Sequence, residues 1–169
     1  MTDEQQRAQT TDIVRRYIDA INAWDFDTKR TLLHPEMVFE MPFAPPGFEA
    51  RLEGAETYLA FAKQAMEIVG DENLHDLRVE TFASDPGEAV CFYKSDMTIQ
   101  TNGAAYKNDY IGRFTVRDGK IVRFAEYYDP VRLVIALGGS VNQATLEGSV
   151  SESSARRQCM AAGPAVVIE

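Results

Sequence analysis

The first stretch of the chain repeats its apolar residues at helical spacing. Ile13, Val14, Tyr17, Ile18, Ile21 and Trp24 fall on one face of a segment running from Glu4 to Trp24. That is the pattern of an amphipathic helix. Thr11 and Asp12 are placed to cap its better-formed part. A second short helix is predicted over DFDTKRTLLH. It ends at His34, because the residue before Pro35 resists the α region. MVFEMPF then reads as a strand and APPG as a rigid turn. Between Gly54 and Val69 the helical period returns through Tyr58, Leu59, Phe61, Ala62, Met66 and Val69, and Gly70 closes the helix.

From Leu74 the period drops to two. Leu74–Phe82, Ala89–Ile99, Ala105–Val116 and Lys120–Tyr128 are predicted strands, separated by the turn signals SDPGE, TNG and RDG. Links this short join antiparallel neighbours. Val131–Leu137 reads as a last short helix before Gly138 and Gly139. The order helix, helix, strand, helix and four-strand meander gives an α+β fold, with the helices gathered on one face of a curved antiparallel sheet. The space they enclose is the default small-molecule site. One domain is expected over residues 1–139. From Ser140 to residue 169 the composition shifts to Ser, Ala, Glu and Gly, with AAGPAVVIE as an apolar patch. Such a tail is either disordered or packs on a partner subunit or over the pocket.

Charge narrows the set of partners. The chain carries 17 Lys and Arg against 26 Asp and Glu, a formal net charge of -9. Nucleic acid and anionic membranes are therefore poor partners, and no basic cluster with interleaved aromatics is present. No apolar run is long enough to span a bilayer, and the polar start MTDEQQRAQTTD lacks a signal-peptide core. A cytoplasmic location is the expectation. Cys91 and Cys159 do not suggest a disulfide framework, and His34 and His75 lack ligand-like spacing. No phosphate loop, dinucleotide fingerprint, nucleophile elbow or metal cluster occurs. The pocket is expected to work without a cofactor.

Strand alternation selects the chemistry. Phe124, Glu126 and Tyr128 share one face of the last strand. Tyr106, Asn108, Tyr110, Gly112 and Phe114 share a face of the strand before it, and Tyr93, Ser95, Met97 and Ile99 of the one before that. Aromatic faces belong inside, so Glu126 points inward. A carboxyl group so placed has a raised pKa and suits general acid–base work, or else it is a buried structural glutamate bonded to a tyrosine or asparagine. Glu40 is the second candidate. It meets the pocket near Tyr17 if Val38 and Glu40 face inward, and sits at the solvent rim otherwise. Tyr17 serves either as core packing or as a hydrogen-bond donor. Tyr106, Asn108 and Tyr110 are placed to orient a substrate oxygen or to form a wall that bonds Glu126. Tyr93, Tyr128, Phe124 and Trp24 are further candidate pocket residues. Arg51, after the APPG turn, lies either over the pocket mouth or on an exposed loop.

MVFEMPFAPPGFEARLEG, YKNDYIGRFTVRDGKIVRFAEYYDP and VRLVIALGG, with this element order, resemble the SnoaL-like branch of the nuclear-transport-factor-2-like superfamily. The resemblance covers roughly residues 8 to 139 and is nearest to the PhzA/PhzB group. It implies the cone-shaped α+β barrel of ketosteroid isomerases and polyketide cyclases. It also implies a setting in secondary metabolism. The ketosteroid isomerase pattern is met in part: Tyr17 falls at the helical tyrosine and Glu40 near the general base, but Gly112 stands near the protonated aspartate. The water-holding acidic set of limonene-type epoxide hydrolases falls on Tyr93, Ser95 and Glu126, of which one is acidic. The functional histidine of the phenazine group falls close to Phe61, and its acidic partner on Glu126. The expectation is a cofactor-independent isomerase or cyclase. Its substrate is a hydrophobic oxygenated intermediate, with Glu126, Glu40 and Tyr17 as catalytic candidates. The alternatives are an epoxide hydrolase-like enzyme and a non-catalytic binding or dimerisation module. Phe92 and Ile111, on the outward face of the sheet, point to a homodimer.

Overall fold

In a computed structural model that describes residues 1–70 and 73–141, four helices pack against a six-stranded sheet. The chain divides into Met1–Gly139 and Ser140–Glu169. The two readings of the tail, and Cys159, lie largely outside the described residues. The elements are α1 (Asp3–Asn22), α2 (Phe26–Leu32), β1 (Leu33–Glu40), β2 (Arg51–Glu53), α3 (Ala55–Met66), β3 (Leu74–Thr81), β4 (Glu88–Thr98), β5 (Ala105–Arg117), β6 (Lys120–Tyr128) and α4 (Pro130–Ala136). The sheet order is β2-β1-β6-β5-β4-β3. The meander β3 to β6 is antiparallel throughout, while β1 runs parallel to β6.

Local chemistry explains most boundaries. α1 starts earlier than its apolar stripe suggests. Thr2 accepts from the Gln5 N–H and the Gln5 side chain returns a bond to the Thr2 backbone, a complete capping box. Thr11 and Asp12, expected as caps, lie inside the helix. β1 begins at Leu33 and runs through Pro35. Proline has no N–H for a ladder, and its pairing with β6 is irregular between Leu33 and Val38. α3 ends at Met66 rather than Val69, and Val69 instead bridges to Ile99. β2 is a three-residue strand that the polar segment RLE did not announce; it pairs with β1. In the β5–β6 turn, Asp118 and Gly119 both have positive φ, 51° and 74°. That matches the type I′ geometry of a two-residue hairpin.

The core lies between the helices and the inner face of the sheet. Along β5 the residues alternate strictly inward and outward from Ala105 to Phe114. Tyr17, Phe114 and Phe124 are fully buried at its centre. Phe114 and Phe124 stack with centroids 4.4 Å apart, and Tyr17 meets both rings edge-on.

Candidate functional site

The sheet supplies one wall of a cavity of about 270 Å³ through Tyr106, Tyr110, Phe124, Glu126 and Tyr128. The helices supply the other through Lys29 of α2 and Tyr58 and Phe61 of α3, among mostly apolar neighbours. The volume is close to the lower end of the range for small-molecule sites, roughly 300 Å³ and above.

Strand parity places Glu126 where the alternation predicts, on the cavity wall beside Tyr110 and Tyr128. Tyr93 donates a hydrogen bond to Glu126 Oε1. Burial raises the carboxyl from its ordinary 4.5 to about 7, with the Tyr93 bond opposing in part. The Tyr93 phenol is itself held well above its ordinary range by burial and then by the Glu126 charge, so it stays a donor. Its ring stacks on Tyr110 with centroids 5.0 Å apart and an interplanar angle of 5°. A carboxyl that titrates near neutrality, held by one donor and facing an apolar space, can both take up and return a proton.

Glu40 is not part of this site. Met37, Phe39 and Met41 turn inward, so alternation sends Val38 and Glu40 to the outer face. There Glu40 meets Arg123 of β6 at 2.8 Å and Arg51 of β2 at 2.5 Å. Burial alone would raise its carboxyl, but hydrogen bonds and charge from Arg123 and then Arg51 outweigh it and hold the group below its ordinary value. Arg51 is therefore an outer-face partner of Glu40 and Glu53, exposed on β2 and not over the cavity mouth. Trp24 is also displaced from the cavity: it follows α1 with φ 52° and stacks on Phe26 at 6.3 Å. Tyr17 stands one layer back, its hydroxyl hydrogen-bonded to that of the cavity-lining Tyr58. Asn108 lies behind Tyr106, to which it donates at 2.9 Å.

Sequence reasoning missed Lys29, which is 1% exposed and lines the cavity. Its ammonium group sits 4.6 Å from the Phe26 ring centroid and 5.3 Å from that of Trp24. The signal was present: Phe26, Lys29 and Leu32 recur at threefold spacing, so the lysine falls inside the apolar stripe of α2. Gly112, which departs from the ketosteroid isomerase pattern, has a packing cause. A Cβ there would come within 2.8 Å of Phe114 and 3.1 Å of Phe124. The stacked rings occupy the space an acidic side chain would need.

A curved, unclosed sheet covered by helices on one face, with a carboxyl group on the wall of a mostly apolar cavity, is an architecture of the nuclear-transport-factor-2-like class. The SnoaL-like domain family model matches residues 14–124, and the chain belongs to that family. An uncharacterised PhzA/B-like protein of Pseudomonas aeruginosa is 35% identical over 108 residues, which is 64% of this chain and 75% of that one. The structure of an inferred isomerase from Bacillus subtilis superposes with a TM-score of 0.72 at 25% identity, over 85% of this chain and 100% of the other. An inferred polyketide cyclase from Xanthomonas campestris pv. campestris gives 0.70 at 22% identity, over 78% and 98%, a likeness of fold alone. The fold is of cyclase and isomerase type. No helix among the described residues is long and apolar enough to cross a membrane.

Proposed function

We propose that the protein is an isomerase or cyclase that uses Glu126 as its general acid and base on a hydrophobic, oxygen-bearing small molecule. The observation that carries this reading is a carboxyl group with a pKa of about 7 on the wall of a mostly apolar cavity. At neutral pH such a group is divided between its two protonation states, so it can abstract a proton at one atom of a substrate and return it at another. The reaction class is enolisation, aldol-type ring closure or a related rearrangement that needs proton transfer and shielding from water. The PhzA/B-like name of the Pseudomonas aeruginosa relative supports a substrate from secondary metabolism. The protein works as a homodimer joined through the outer face of the sheet, which presents Phe43, Ile111 and Tyr127 between charges of both signs.

A probe carbon acid tests the proton transfer directly. General-base attack on 5-nitrobenzisoxazole breaks its C–H and N–O bonds and releases a coloured nitrophenolate. The purified protein should accelerate this ring opening, with an inflection near pH 7. Glu126→Gln keeps the shape and removes the titrating proton, so the rate should fall by about 10²–10⁴-fold. Glu40→Gln, on the outer face, should leave it unchanged. Equal rates for the wild type and Glu126→Gln would remove the acid–base role from this residue.

A further inference from the structure

We propose that Tyr106 is the substrate-facing hydrogen-bond donor of the cavity, and that the ligand it takes presents a carbonyl oxygen which becomes an enolate during the reaction. The proposal rests on the acid–base reading above and adds the group that receives the negative charge.

The argument is an accounting of donors and acceptors along β4 and β5. Backbone groups fix the orientation of the Asn108 amide. Its Oδ1 accepts from the N–H of Asp109 at 2.9 Å and of Asp129 at 3.2 Å, so the NH₂ must point the other way. Nδ2 then donates to the Asp129 carbonyl and to the Tyr106 hydroxyl, each at 2.9 Å. Both Asn108 hydrogens are used inside the protein, and none is left for a substrate. Ser95 Oγ accepts from the Asn108 N–H at 3.1 Å and donates to Tyr110 at 3.4 Å. Tyr110 in turn donates to Tyr106 at 2.9 Å. Three hydroxyl groups thus share two hydroxyl–hydroxyl bonds, and one hydrogen is left over. It belongs to Tyr106, whose oxygen already accepts twice. Among the described residues no acceptor meets that hydrogen. Tyr106 is 5% exposed and lines the cavity. A buried donor without an acceptor is costly, and a ligand oxygen in the cavity removes the cost.

The chain also makes Tyr106 a better donor than a lone phenol. Each bond it accepts polarises its own O–H. Burial raises its pKa while the Tyr110 and Asn108 bonds lower it, and the net position above the ordinary tyrosine value keeps the proton on at neutral pH. Glu126 lies within electrostatic reach of Tyr106 on the same wall. A ketone or ester with an acidic α C–H can therefore put its oxygen on Tyr106 and its α-carbon at Glu126. When the Glu126 carboxylate takes the α-proton, the C–H electron pair forms the C=C bond and the carbonyl π pair moves onto oxygen. Tyr106 stabilises that charge where it develops. Return of the proton from Glu126 to carbon, or attack of the enolate carbon on a second carbonyl followed by transfer of the Glu126 proton to the new alkoxide oxygen, regenerates the starting state of the residues.

The test uses 2-acetylnaphthalene labelled with ¹³C at the carbonyl, and 2-ethylnaphthalene as its oxygen-free counterpart. The carbonyl stretch of the bound ketone should move to lower frequency than in cyclohexane, and the ketone should bind more tightly than the hydrocarbon. Tyr106→Phe, with folding checked by circular dichroism and a urea melt, should lose the shift and lower the ketone-to-hydrocarbon affinity ratio by about five- to tenfold. Tyr110→Phe leaves Tyr106 its hydrogen and should weaken the shift without removing it. Glu126→Gln should keep the shift, which separates this role from the acid–base one: the donor stands if the shift survives and only turnover is lost. An unshifted carbonyl in the wild-type complex, a shift unchanged in Tyr106→Phe, or no saturable binding of the ketone would overturn the proposal.

Discussion

Folding takes the Glu126 carboxyl from water to a cavity wall, and the burial that raises it to about 7 couples stability to pH. Its unfolded value is the ordinary 4.5. Between these two values the folded state binds more proton than the unfolded state, so this residue's contribution falls as pH rises through the window. From pH 5 to pH 8 the loss is on the order of 2–3 kcal/mol. Glu40 has the opposite sign: its lowered carboxyl favours folding above its unfolded value and loses that contribution as pH falls. Comparing the wild type with Glu126→Gln cancels Glu40 and isolates Glu126. In urea melts the Gln variant should gain on the wild type between pH 5 and pH 8. A stability difference that stays constant over that range would mean that the carboxyl is not desolvated.

At the scale of elements, the cavity wall depends on how closely β5 and β6 carry their aromatic residues beneath α1. Gly112 lies opposite Glu126 in the strand register, next to the Phe114–Phe124 stack. The absence of a side chain lets both rings lie flat against the sheet while Tyr17 closes them from α1. Gly112→Ala adds one methyl group where Phe114 already stands at 2.8 Å. The buried rings have little room to retreat, so the variant should lose about 1–3 kcal/mol in a urea melt. It should also change the near-ultraviolet circular dichroism of the aromatic cluster. A variant as stable as the wild type would show that the stack yields without cost.

For the molecule as a whole, the two faces of the sheet divide the work. The inner face builds the cavity. The outer face leaves Ile111 42% exposed, sets Phe43 edge-on to Tyr127 at 5.5 Å and places the Arg78 guanidinium over Phe92 at 4.5 Å. Lys94, Asp76 and Asp109 flank this patch. Apolar centre and mixed-sign rim together suit a second copy of the same surface across a twofold axis. Light scattering at micromolar concentration should give a dimer, and Ile111→Asp should give a folded monomer. A monomeric wild type under the same conditions would contradict the dimer.

The linear pattern by itself determined the order of elements apart from the short β2, the meander and the inward residues of β4, β5 and β6. Those strands are long and alternate strictly, and period two is a local property that survives any packing. Glu126, Tyr106 and Tyr110 were legible for that reason. β1 was not, because apolar residues at Val38, Phe39 and Met41 leave both parities open. Only the larger inward partners of α3 and β6 decide that Phe39 enters the core and Glu40 leaves it. Lys29 was hidden because a lysine on a short helix reads as solvated until the neighbouring rings close over it. The bonds that give the site its chemistry join residues far apart in the chain: Tyr93 and Glu126 are separated by 33 positions, and Glu40 and Arg123 by 83. Distance, burial and the direction of each hydrogen bond arise only when those segments meet, so the tertiary structure alone decided which carboxyl group titrates near neutrality and which is held ionised on the outer face.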